Sequence, residues 1–121
     1  MVIADEQWAR NEVHAGLTEP EYTLLDHSDP ATAGEAVKAQ EPHLVVIDLQ
    51  VASMGGMAIA RDLHQRAAMD GEEEIPVVLL LDRKADTFLA KRAGVAGWVV
   101  KPFTAGTLEE KINKIFERVA A

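Results

Sequence analysis

The chain has 121 residues, a formal net charge of −8 and no cysteine. One domain of this length can bury a single core unaided; the lack of cysteine excludes disulfides, thiol chemistry and cysteine-ligated zinc, and fits a cytoplasmic location. The acidic balance (pI about 4.9) lacks the basic footprint of direct nucleic-acid binding, and with no apolar run near the roughly 20 residues of a span and no basic-then-apolar leader, no membrane segment is expected.

Met1–Ala4 is a short apolar run that reads as strand one and stops at Asp5-Glu6. Residues 8–17 read as a helix with Gly16 near its stop, and Tyr22–Leu25 as strand two. Ser28-Asp29-Pro30 is a cap followed by a first-turn proline, which opens a helix to about Gln40. Pro42 ends it, and Leu44–Asp48 is strand three. Helix three runs from Gly56 to about Ala68, with Met57, Ala60, Leu63 and His64 at one-face spacing. A polar loop with a solvated run of three glutamates, Glu72 to Glu74, leads through Pro76 into strand four, Val77–Leu81. Residues 85–93 form a helix closed by Gly94, and Gly97–Val100 is strand five. Thr104 caps a fifth helix with Leu108, Ile112, Ile115, Phe116 and Val119 on one face.

Five strands alternating with five helices, without repeat or linker, predict an α/β fold over residues 1–121. The sheet is parallel, with right-handed crossovers and helices on both faces. The flavodoxin-like doubly wound order 2-1-3-4-5, (βα)5, is the common one for five strands, and it sets strands one and three side by side. Ligands of such sheets bind beyond the carboxyl ends of the strands. Strands one, three and five end at Asp5-Glu6, at Asp48 and at Lys101-Pro102. Any one of these charges alone would simply end a strand or cap a helix. Together they predict a pocket of three acids and one lysine. Three carboxylates in one pocket repel one another, so either a proton is retained or a cation neutralises them. Oxygen ligands without His or Cys fit Mg²⁺. A carboxylate beside Mg²⁺ and lysine is suited to attack phosphorus and form an acyl phosphate.

The sequence resembles bacterial response-regulator receiver domains along essentially its whole length. The motifs that carry the resemblance are Val2-Ile3-Ala4-Asp5-Glu6, then Leu44 to Asp48 with Met54-Gly55-Gly56, then Ala93-Gly94, and finally Gly97-Trp98-Val99-Val100-Lys101-Pro102-Phe103. The resemblance implies that Asp48 is the phospho-acceptor and that Lys101 contacts the phosphoryl group. It implies that Asp5, Glu6, Asp48 and the backbone carbonyl of Gln50 hold Mg²⁺, that the bond to Pro102 is cis, and that Trp98 is the conformational indicator. The implied role is two-component phosphorelay signalling and not enzymatic turnover. The implied partners are a sensor histidine kinase or phosphotransfer protein, a downstream protein meeting helix four, strand five and helix five, and a second copy in a homodimer.

Three positions depart from the family pattern. Leu81 stands where receivers carry a Ser or Thr hydroxyl, and Asp82 follows it; leucine donates no hydrogen bond, and an aspartate facing the pocket would repel a phosphoryl group. Glu6 stands where a second Asp is usual, and Ala52 where a proline is. Leu81 favours an alternative, a degenerate pseudo-receiver that docks partners independently of phosphorylation. A Mg²⁺-dependent phosphohydrolase is the enzymatic alternative, but Asp5-Glu6-Gln7 is not the Asp-x-Asp such enzymes carry. Trp8 is expected to be partly buried packing on helix one, and the four histidines to lie on the surface or in helices without metal-ligand spacing.

Overall fold

A computed structural model describes residues 1–4, 6–18, 21–48 and 55–120. The strands are β1 (Val2–Ile3), β2 (Asp26–His27), β3 (Val45–Asp48), β4 (Val77–Leu81) and β5 (Gly97–Val100), and the helices are α1 (Gln7–Gly16), α2 (Ala33–Gln40), α3 (Gly56–Asp70), α4 (Thr87–Arg92) and α5 (Ala105–Ala120). The strands pair in parallel in the order β2-β1-β3-β4-β5. This is the flavodoxin-like, doubly wound sheet predicted from the alternation.

Strand side chains alternate between two cores, as a period of two requires. Ile3, Val45, Ile47, Leu79 and Leu81 pack on one side with Val37, Ile59 and Ala90 of α2, α3 and α4. Val2, Val46, Val78, Leu80 and Val99 pack on the other with Val13 of α1 and Leu108, Ile112 and Ile115 of α5. Near-continuous Val, Ile and Leu in β3 and β4 follow from burial on both faces.

Strand two lies later than expected. Tyr22, Leu24 and Leu25 do pack against the core edge, but the ladder pairs Val2 with Asp26 and Ile3 with His27. The apolar residues carry the burial and the polar pair carries the hydrogen bonding. Asp29 rather than Ser28 makes the turn before α2, accepting from the Ala31 N–H at 3.1 Å. In α3 the buried stripe is Gly56, Ile59 and Ala60; His64 faces solvent, where its Nδ1 meets Glu74 at 2.5 Å, so Glu74 is not merely solvated. A 3-10 turn over Lys84–Asp86 precedes a short α4. In α5 Leu108, Ile112 and Ile115 are buried, but Val119 is 59% exposed, because it lies in the helix's last turn. The turn after α4 passes through Gly94 at φ +75°, a conformation that glycine adopts without steric cost.

Candidate functional site

β3 and β5 lie on either side of β4. Asp48 ends β3 and Lys101 follows β5, with the Lys101 N–H bonded to the Leu81 carbonyl at 2.8 Å. Strands are spaced about 4.8 Å apart, so a side chain must cross two spacings to join these residues. Lysine's four-carbon stem does so, and its Nζ donates to Asp48 Oδ1 at 2.7 Å. Asp48 is 1% exposed and the Lys101 side chain 12%. Burial alone would push the Lys101 ammonium down, but hydrogen bonds and charge from Asp48 and Asp82 outweigh it and hold the lysine above its ordinary value.

Strand parity explains the grouping. Asp48 shares the parity of Val46, and Lys101 that of Val99, so both belong to the α1/α5 side of the sheet. Asp82 shares the parity of Leu80 and turns the same way. Its Oδ1 lies 3.2 Å from Lys101 Nζ. Leu81 has the opposite parity and is fully buried on the α4 side with Leu79 and Ala90. The lysine therefore bridges two carboxylates. Asp82 as its partner is the contact that motif reading misses, and the alternation Leu80-Leu81-Asp82 is the signal that could have found it.

Trp8 is not packing in the core. α1 buries Ala9, Val13 and Gly16, so Trp8, one residue before that stripe, is 51% exposed. Its ring lies over Lys101, with Nζ 5.0 Å from the centroid. That is a cation–π contact and adds a third neighbour to the ammonium. Glu6 is exposed just before α1 and makes no capping bond from its side chain. Asp5 and Gln50 lie outside the described residues. Among the described residues no three His, Cys, Asp or Glu side chains are grouped to hold a metal ion. The donor chemistry of Asp48 and Glu6 is oxygen only, which suits a hard cation. The Lys101–Pro102 peptide bond is cis. Trp98 is half-buried on the α4 side, with Lys91 Nζ 5.9 Å from its ring centroid. A cavity of about 640 Å³ at the opposite end of the sheet, lined by Met1, Tyr22, Leu44, Ile112 and Phe116 among others, takes no part in this grouping.

Among the described residues no helix is long and apolar enough to cross a membrane. His14 and Asp26 (2.9 Å) and His27 and Thr32 (2.9 Å) pair locally, as His64 does with Glu74.

Comparison with known proteins supplies the family. The family model for the response regulator receiver domain matches residues 1–113. The chain is 36% identical to the chemotaxis protein CheY-3 of Vibrio cholerae over 93 residues, covering 75% of this chain and 69% of that protein. It is 27% identical to the probable transcriptional regulator ycf27 of Porphyridium aerugineum over 121 residues, covering 98% of this chain but only 48% of the regulator, about half its length. Among solved structures, the receiver domain of NtrX from Brucella abortus superposes with a TM-score of 0.82 at 23% identity, covering 96% of each chain. A putative response regulator from Chloroflexus aurantiacus gives 0.85 at 15% identity, covering 97% of this chain and 95% of that one. These two likenesses speak for the fold, and the family match speaks for more. The chain belongs to the response regulator receiver domains, the signal-accepting modules of two-component signalling.

Proposed function

We propose that the domain accepts a phosphoryl group on Asp48 and passes the signal on through protein–protein contacts. The observation that carries this reading is the Asp48–Lys101 pair, a buried carboxylate held 2.7 Å from a lysine at the carboxyl ends of β3 and β5. In the transfer, a carboxylate oxygen of Asp48 attacks the phosphorus of the donor. The new bond from Asp48 oxygen to phosphorus forms as the donor's bond to phosphorus breaks, and that electron pair leaves with the leaving group. For a phosphohistidine on a sensor histidine kinase or phosphotransfer protein, protonated at its other ring nitrogen, the leaving group is neutral imidazole. Lys101 supplies positive charge to the phosphoryl oxygens, in a reaction governed by positioning and charge neutralisation.

Asp5, Glu6, Asp48 and the backbone carbonyl of Gln50 would hold Mg²⁺, which when bound offsets the charge of the phosphoryl oxygens. The oxygen-only chemistry of Asp48 and Glu6 supports that ion over a softer metal. Leu81 leaves the end of β4 without the hydroxyl of the family pattern, and Trp98 lies under Lys91 of α4 as the indicator. Downstream contact, with a target protein or a second copy, falls to the α4–β5–α5 face, where Phe88 and Leu89 are exposed. The domain acts as a cytoplasmic signalling module and does not turn over a substrate as an enzyme.

Intact mass after incubation with acetyl phosphate and Mg²⁺ tests the reading. A phosphate-sized gain that disappears in Asp48→Ala is expected. No gain with any donor would return the phosphorylation-independent docking module.

A further inference from the structure

An ammonium group has three N–H donors and accepts nothing. Asp48 takes one at 2.7 Å, Asp82 forms an ion pair with the ammonium at 3.2 Å, and the Trp8 ring lies over the same nitrogen. A phosphoryl group on Asp48 needs Lys101 as a donor, and it arrives where a carboxylate already is. We propose that Asp82 is a tethered anion that competes with the phosphoryl group for Lys101, slowing transfer to Asp48 and leaving the lysine once transfer has occurred. This rests on the reading of Asp48 as the acceptor.

The three charges differ in their freedom to move. Asp48 is the last residue of β3 and is paired with Leu80 across the ladder. Lys101 is tied through its backbone to Leu81. Asp82 is 35% exposed and lies just past the last residue of β4. Beyond it the chain enters the turn over Lys84–Asp86, held by the Arg83–Asp86 pair at 3.1 Å, and then α4. A phosphorylated side chain carries roughly two negative charges, so the carboxylate that can leave is Asp82. Its departure moves the segment leading to α4. A Ser or Thr hydroxyl at the end of β4 would draw that segment toward the phosphoryl group, whereas a carboxylate is driven away from it. Asp82 is thus a positioning residue that acts through Lys101.

The test follows phosphorylation of the whole chain by acetyl phosphate with Mg²⁺, read by intact mass, for the unaltered protein, Asp82→Asn and Asp82→Glu, with Asp48→Ala as the blank. Asp82→Ser serves as a second neutral variant if Asp82→Asn does not fold. The neutral variant should be labelled at least about tenfold faster, the rate equivalent of one lost repulsive contact, while Asp82→Glu stays near the unaltered rate. Amide resonances of residues 83–92 should shift on phosphorylation of the unaltered protein and stay in place in the neutral variant. Equal or slower labelling of the neutral variant overturns the proposal and leaves Asp48 as acceptor. Labelling of neither protein overturns the acceptor reading itself, and the proposal with it.

Discussion

Lys101 Nζ reaches Asp48 Oδ1 at 2.7 Å across the end of β4, a strand to which neither residue belongs. The contact ties β5 to β3 by side chains where the backbone ladder cannot. Breaking such a buried pair from one side leaves a buried charge less well compensated, which typically costs about 3–5 kcal/mol. Lys101→Met keeps the stem and removes the charge, and should lower unfolding stability by about 3 kcal/mol in urea titration. In Asp48→Asn the ammonium keeps Asp82 as a partner, so the loss should stay below the full cost of an unpaired buried charge. A loss of about 3–5 kcal/mol in Asp48→Asn would contradict the shared arrangement.

Alkaline stability should carry the same signature. Lys101 is held above its ordinary value of 10.5, so the folded chain binds that proton more tightly than the unfolded one. The stabilisation is fully present below pH about 10.5 and is lost as pH rises through the folded value. Tyr22, also raised, drifts in the same direction, but it is common to both proteins compared. The unaltered chain should lose stability more steeply above pH 10.5 than Lys101→Met, as followed by denaturant midpoints against pH. Parallel slopes would place Lys101's proton outside the folding equilibrium.

Trp8 should report on the pocket. Its ring lies over the ammonium that pairs with Asp48, so Mg²⁺ at the neighbouring carboxylates should change tryptophan emission. Trp8→Phe should lose most of that change, with Trp98 still emitting from the α4 side. A Mg²⁺ response undiminished in Trp8→Phe would contradict Trp8 as the reporter, and metal binding undiminished in Asp5→Asn would contradict the metal site.

Leu81 is a core residue as well as a missing hydroxyl. It is fully buried with Leu79 and Ala90, and truncating such a leucine costs about 2–5 kcal/mol. Leu81→Ala should fall in that range by thermal or urea unfolding. A loss under about 1 kcal/mol would mean that the side chain is not packed as described.

Much of this was legible in the residues. Alternation of strand and helix predicts the sheet order, and the charges ending β3 and β5 read directly as Asp48 and Lys101. Strand two was not legible, since Tyr22, Leu24 and Leu25 announce burial whereas pairing falls on the polar Asp26 and His27, and a two-residue ladder has no period to read. Trp8 needed the phase of α1, set by Ala9, Val13 and Gly16. Asp82 needed only the parity of β4, but that parity matters once Lys101 is known to reach across the strand.

Mapping the phosphoryl group tests the central claim most directly. The chain would be incubated with acetyl phosphate and Mg²⁺, digested, and the modified residue located by tandem mass spectrometry after reductive trapping of the acyl phosphate. The expected result is modification at Asp48 alone. A phosphoryl group on any other residue, or none on a protein shown to be folded, would contradict it.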